Sequence, residues 1–177
     1  MTHFTPISPA EFDGVFERIG KQWMLITAKG TDQNGREVTN TMTASWGGMG
    51  ILWNKPVCFC FIRPQRYTFP LTESAERFSL SFLGEEYRAA LRLCGSKSGR
   101  DTDKWQATGL TPVTQNGVPF VEEAELALIC RKLYVDTLKE AGFLDKTLLE
   151  NYKAGDFHRV YVMEIEEILK KDNGATT

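Results

Sequence analysis

Apolar and polar residues alternate with a period of two along much of this chain, the spacing of strands that bury one face. Trp23–Ala28 (WMLITA) predicts a short apolar strand, followed by a turn-rich break at Thr31–Arg36 that contains Asn-Gly. Val38–Trp46 predicts a strand with Met42, Ala44 and Trp46 on one face and Thr41, Thr43 and Ser45 on the other. Val57–Ile62 is a nearly continuous apolar run and reads as a strand buried on both faces. Arg77–Phe82 alternates again, and Leu126–Val135 and His158–Ile168 are two longer strand candidates. A helix is expected to start near Thr68 as N-cap, with Pro70 in its first turn. Glu85–Leu93 reads as a short helix ended by the loop CGSKSGRDTDKW, and a partly helical insertion lies around Phe143–Tyr152.

These connections are too short for regular βαβ crossovers, so the pattern predicts a mainly β, largely antiparallel closed barrel with a few peripheral helices. Residues 1–177 fit one domain, with its core at about 20–170. The N-terminal end around His3 and the tail after Lys170 are expected to be frayed.

Composition narrows the function classes. Hydrophobic residues make up 42% and charged residues 25%, an ordinary globular balance. The formal net charge of −2 argues against broad attraction to nucleic acid. No apolar run approaches bilayer length, and MTHFTPISPAEFDG lacks the basic and apolar regions of a secretory signal, so no membrane association and a cytoplasmic location are expected. Cys58, Cys60, Cys94 and Cys130 form no CxxC pair and only two histidines accompany them, so no metal site is expected. The cysteines read as small buried hydrophobes, with Cys58 and Cys60 facing the same way. Glu122, Glu123 and Glu125 read as a solvated strand entry, and no Ser/His/Asp order or carboxylate pair supports a hydrolase.

Four segments carry candidate chemistry. In NTMTASWGGMG (Asn40–Gly50), Thr41, Thr43 and Ser45 share a face, and Gly47, Gly48 and Gly50 would let backbone N–H groups approach a ligand. The alternative for that segment is a strand with its polar face in water. In RPQRYT (Arg63–Thr68), Arg63, Arg66 and the Thr68 hydroxyl suit one phosphate beside a helix start; a solvated basic loop is the alternative. GSKSGRDTDKW (Gly95–Trp105) carries Lys97, Arg100 and Lys104 but matches no Walker loop, and by itself reads as a polar surface loop. His158 heads the last long strand, either as a donor toward a redox ring or as a hydrogen-bonded structural histidine.

NTMTASWGGMG, KPVCFCFIRPQRYT, CGSKSGRDTDKW and GDFHRVYVMEI, in this order and spacing, resemble the flavoredoxin-like branch of the flavin reductase family. The resemblance spans about Trp23 to Ile168 and implies an FMN-binding split β-barrel of Greek-key type. It further implies a homodimer with FMN held in a groove near the subunit interface. Carried over by position, Thr43, Ser45, Trp46 and Gly47 would meet the isoalloxazine ring. Arg66, Tyr67 and Thr68 would lie at the phosphate, helped by Ser98, Arg100 and Lys104, and His158 would stand near the reactive face. Arg63 matches the family less consistently. The implied activity is hydride transfer from NADH or NADPH to the flavin, with electrons passing on to a small-molecule or protein acceptor. No Rossmann GxGxxG is present, so the nicotinamide dinucleotide would be a transient second substrate. The alternatives are an electron carrier or flavin-binding protein with little NAD(P)H activity, and, behind these, pyridoxamine phosphate oxidation. Two departures stand out: Met163 precedes Glu164 where the family often has Gly, and Asp136–Phe157 looks like an insertion able to cover the pocket.

Overall fold

Residues 2–172 are described in a computed structural model of the chain. Ten strands follow in order: β1 (Phe4–Ile7), β2 (Met24–Thr31), β3 (Glu37–Ala44), β4 (Gly47–Leu52), β5 (Lys55–Ile62), β6 (Arg77–Phe82), β7 (Pro112–Gln115), β8 (Val118–Val121), β9 (Leu126–Thr137) and β10 (Arg159–Lys171). Four short α-helices sit among them: α1 (Val15–Glu17), which widens into a further turn at Arg18–Gln22, α2 (Phe69–Ser74), α3 (Arg88–Ser96) and α4 (Lys104–Thr108). 3-10 turns at Pro9–Glu11, Glu85–Tyr87, Glu140–Gly142 and Lys146–Tyr152 complete the described helical content, the last two within the expected partly helical insertion.

Eight strands form one antiparallel sheet in the order β3-β2-β6-β9-β10-β5-β4, with β1 also on β10; β7 and β8 pair separately. The two outermost strands, β3 and β4, are neighbours in the chain, joined by Ser45 and Trp46 alone. The sheet curls until these edges approach. A Cβ built on Gly47 of β4 would lie 2.8 Å from the Phe59 carbonyl oxygen and 3.2 Å from Met24 Cε of β2. The result is a barrel with one slit, between β3 and β4.

The barrel interior is filled by inward residues of six strands, among them Met24, Ile26, Met42, Cys58, Cys60, Phe78, Leu80, Tyr161 and Met163. A second cluster lies outside, where Leu25, Ala127 and Ile129 meet Ala90, Leu91 and Cys94 of α3 and Val118 and Phe120 of β8. β2 is therefore buried on both faces, and each such Leu or Ile contributes about 1.5–3 kcal/mol relative to exposure. Cys58 and Cys60 do face the same way, and all four cysteines are free and buried. Met163, at the position of the family departure, is fully buried in the barrel. Among the described residues, no helix is long and apolar enough to cross a membrane and no cluster suits a metal ion.

The strand pattern holds closely at β6 and within a few residues at β2, β5, β9 and β10. Several elements differ from expectation. Gly47–Leu52 is a strand, because β5 supplies a ladder that needs no side-chain alternation, and Trp53 and Asn54 close the hairpin with φ of 53° and 57°. The N-terminal segment, expected to be loose, pairs as β1 with β10, and His3 Nδ1 contacts the Asp172 carboxylate. Cys94–Ser96 belong to α3 rather than to the loop, and Asp103 caps α4 by accepting from the Trp105 and Gln106 N–H groups. In β5, Phe59 and Phe61 are only half-buried. β10 carries the chain through Lys170 to Lys171, and residues 173–177 of the expected frayed tail lie outside the described region.

Candidate functional site

The slit begins with β3, whose Thr41 and Thr43 hydroxyls bond within the protein. Thr41 Oγ1 accepts from Thr27 Oγ1 at 3.0 Å and donates to the Ile26 carbonyl at 3.2 Å. Thr43 Oγ1 donates to the Leu91 carbonyl of α3 at 2.5 Å. The Thr41 and Thr43 hydroxyls are thus taken up by β2 and α3 rather than by water, while Thr43 and Ser45 still line the cavity described below. What β3 offers is its unpaired edge. Lys104 Nζ reaches the Thr41 carbonyl at 2.8 Å and Trp105 Nε1 the Thr39 carbonyl at 3.2 Å, so these residues direct their backbone away from β2. Alternate residues of an antiparallel edge face the same side. The backbone of Thr43 therefore points into the slit as well.

There it helps to line a cavity of about 200 Å³ with Ala44, Ser45, Trp46, Phe61, Arg63, Arg66 and His158. Gly47 does not line this cavity. It pairs with Cys60 and stands on the far side of Trp46.

A second cavity, of about 190 Å³, opens where the turn after β5 meets the loop between α3 and α4. Arg66, Tyr67, Thr68, Ser98, Arg100 and Lys104 all line it, with Lys97, so the expected phosphate residues converge apart from Arg63. Lys104 is only 3% exposed and donates to the Thr41 and Cys94 carbonyls at 2.8 and 2.9 Å. Arg66 Nη2 donates to the same Cys94 carbonyl at 3.2 Å. That carbonyl belongs to the last turn of α3, the negative end of the helix, which makes two adjacent cations tolerable there. Burial pushes the Arg66 guanidinium below its usual range and brings Lys104 down to about 8.

Among the described residues, none of Arg66, Lys97, Arg100 and Lys104 pairs with a carboxylate. Lys104 is buried and Arg66 half-buried, while Lys97 and Arg100 are exposed, and such a group of cations suits an anion. The wall is closely fitted. Arg100 lies 5.4 Å over the Tyr67 ring, donates to the Gln65 carbonyl at 3.1 Å, and has its own N–H on Ser98 Oγ at 3.2 Å. A Cβ on Gly99 would come within 2.5 Å of the Tyr67 ring and 2.6 Å of Asn40 Oδ1. Thr68 sits at the N-cap of α2, but its hydroxyl does not cap; it accepts from Asn40 Nδ2 at 2.9 Å and is buried. Tyr67 contributes its ring, since its hydroxyl donates to Asp32 at 3.3 Å.

Arg63 stands apart from the second cavity, where its expected phosphate partners converge, and lines the slit cavity instead. It binds Asp156 Oδ2 at 2.5 Å and the Asn151 carbonyl at 2.9 Å, and its guanidinium lies 5.1 Å over the Tyr152 ring. It thereby fastens the segment between β9 and β10 to the end of β5. Residues 138–157 of that segment, expected to be able to cover the pocket, line neither of these two cavities; Leu138 and Tyr152 border a third one beside Trp46. His158 is buried beside Trp46, at 5.3 Å between ring centres, and its Nδ1 lies 2.8 Å from the Tyr152 hydroxyl. Burial, reinforced by Arg63, pushes its pKa down to about 4, so the ring is neutral at physiological pH.

Trp46 separates this cavity from a third and larger one of about 690 Å³, lined by Phe16, Ile19, Gly47, Gly48, Met49, Phe61, Leu138 and Tyr152 among others, none of them charged. Pattern reading did not single out Tyr152, Phe61 or Gly99. The spacing of Tyr152 to His158 carries no periodic signal, because the intervening chain is a turn rather than a helix or strand.

Comparison with known proteins places this geometry in context. A family model described as flavin reductase like domain matches residues 16–176. Among solved structures, the chain is similar to an FMN-binding protein from Thermus thermophilus with bound 1-cyclohex-2-enone, at 25% identity over 95% of this chain and 79% of that one, TM-score 0.64. It is similar in fold to an FMN-binding domain of a flavin reductase-like enzyme from Shewanella baltica, at 16% identity over 96% and 78% of the two chains, TM-score 0.66. Flavoredoxin of Desulfovibrio vulgaris (Miyazaki F) shares the fold at 20% identity over 94% and 77%, TM-score 0.64. No curated protein matches the chain in sequence.

Proposed function

The chain belongs to the flavin reductase-like family, and on that premise we propose that it is an FMN-dependent oxidoreductase accepting hydride from NADH or NADPH and passing electrons to a small-molecule or protein acceptor. The observation that carries this reading is Arg66, which lines both the slit cavity and the anion pocket. A planar ring joined to a phosphate monoester spans two such cavities. The donor set fits: the unpaired cations call for an anion, and the free edge at Thr43 offers an N–H and a carbonyl to a ring with complementary edges.

FMN, when bound, supplies the two-electron chemistry. The protein's own work is then binding, orientation and exclusion of water. Lys104, Arg66 and Arg100 hold the phosphate, with Ser98 beside them. The Thr43–Trp46 segment flanks the ring, and Phe61 and Trp46 keep its surroundings apolar. His158 presents an uncharged nitrogen to the cavity.

The third cavity supports a second reading. A nicotinamide dinucleotide carries a diphosphate, yet no cation lines the space beyond Trp46. That favours an electron carrier that reacts slowly with NAD(P)H. Anaerobic mixing of the FMN-loaded protein with NADH or NADPH separates the two: rapid loss of oxidised-flavin absorbance supports the reductase, and no loss over minutes leaves the carrier. A protein that takes up no FMN removes both.

The proposal includes a homodimer. Phe16 is 93% exposed and borders the third cavity, and Ile51, 75% exposed, borders a neighbouring apolar hollow that shares Val15 and Met49 with it. A continuous apolar face of this kind suits a second copy of the chain. Sedimentation equilibrium tests this, and a monomer at micromolar concentration removes it.

A further inference from the structure

We propose that Tyr152 is a positioning residue that holds His158 as the neutral tautomer with its proton on Nε2, so that the slit cavity is offered a fixed N–H donor. The functional meaning rests on the flavin reading above; the location of the proton does not.

The geometry is local and closed. The Tyr152 hydroxyl lies 2.8 Å from His158 Nδ1, and both side chains are buried. Nε2 has no partner among the described residues, and His158 lines the slit cavity. Among the described residues no buried side-chain nitrogen or oxygen lacks a partner, so Nε2 is not sealed in protein and opens to the cavity. Which group donates across the 2.8 Å contact follows from acidity. A phenol is a stronger acid than a neutral imidazole N–H, and an imidazole sp² nitrogen is the better acceptor. The hydroxyl hydrogen therefore points at Nδ1, and the ring proton is left on Nε2.

Tyr152 cannot readily turn away. Its ring stacks on Phe157 at 4.9 Å with an interplanar angle of 13°, touches Phe143 at 5.5 Å, and is covered by Arg63. The charged groups around the pair are Arg63 just after β5, Asp156 from the insertion and Arg66 across the cavity. Burial first and Arg63 second oppose a charged imidazolium, and Asp156 favours one. An uncharged histidine alone would interconvert between two tautomers, one a donor and one an acceptor at Nε2. Tyr152 removes that ambiguity, and the segment between β9 and β10 thus supplies part of the site's chemistry.

The chain has only two histidines, which makes the proton visible. Long-range proton–nitrogen correlation spectra of the full chain with isotope-labelled histidine, assigned with His3→Gln, distinguish the protonated ring nitrogen. Wild type is expected to show the Nε2 proton from about pH 8 to about pH 5, with and without FMN. Tyr152→Phe keeps the stacking and loses only the hydrogen bond to the neutral ring. It is expected to show both tautomers and a titration midpoint higher by up to about one unit, tenfold in proton affinity. A wild-type proton on Nδ1 overturns the proposal without need of the variant, and so does a folded Tyr152→Phe protein with unchanged tautomer and midpoint. An Nε2 proton in a chain that takes up no FMN upholds the role of Tyr152 and removes the flavin reading instead.

Discussion

Lys104 Nζ donates to the carbonyl oxygen of Thr41 at 2.8 Å, so the buried cation of the anion pocket is fastened to the same strand edge that lines the slit cavity. One residue therefore reports on both parts of the site.

Its protonation gives a pH signature. In the ligand-free fold Lys104 sits at about 8, below its ordinary value, because burial disfavours the charge. A phosphate needs the charged form, so FMN affinity is expected to fall as pH rises above about 8, by at most about tenfold per unit. The stability of the ligand-free protein runs the other way. The unfolded chain binds more protons between about pH 8 and about pH 10, so folding stability rises with pH across that window. Titrations of FMN and riboflavin binding against pH check the first statement, with riboflavin expected to be flat. Lys104→Met should abolish both trends.

Arg66→Ala is expected to weaken FMN binding by roughly tenfold to a hundredfold, the worth of one or two charge-assisted hydrogen bonds. Riboflavin, which has no phosphate, should lose far less. Equal losses for the two ligands in fluorescence titrations would contradict a phosphate role for this guanidinium.

Arg63→Ala is expected to leave the FMN-to-riboflavin preference intact. It removes the contacts to Asp156, to the Asn151 carbonyl and to the Tyr152 ring, so the segment at 138–157 should exchange its amide hydrogens faster. The His158 titration midpoint should rise, because a repelling cation is gone. Unchanged exchange in that segment counts against the fastening role.

Gly99→Ala places a methyl group 2.5 Å from the Tyr67 ring and 2.6 Å from the Asn40 amide, both of them buried. The loop that carries Ser98 and Arg100 must then lift, at a cost of about 1–3 kcal/mol. Chemical denaturation should show the loss, together with weaker FMN binding. Gly48→Ala, whose added Cβ would make an ordinary 3.5 Å contact with Phe59, serves as the control with stability nearly unchanged.

How far the sequence could be read depended on whether a residue's neighbours were close in the chain. β6 and the cores of β2, β5, β9 and β10 were legible because alternation is a local signal. The convergence of RPQRYT with GSKSGRDTDKW came through the order of motifs. It has a physical basis in the shared Cys94 carbonyl, which no single segment encodes. The Thr41 and Thr43 hydroxyls misled, because their partners, Thr27, Ile26 and Leu91, lie on other elements. Tyr152 stayed hidden for the same reason that makes it useful: an irregular turn, with no period to announce it, brings it back over His158.

The three glycines of β4 have a bearing on how the molecule keeps to itself. A barrel left open along one seam exposes a strand edge, and such an edge is a template on which another chain can add. Gly47, Gly48 and Gly50 make that template a poor one, since glycine has low strand propensity and offers no side chain for cross-strand packing. Residues that seemed placed for the sake of a ligand thus also guard the open seam against self-association into aggregates, most of all before any ligand has filled it.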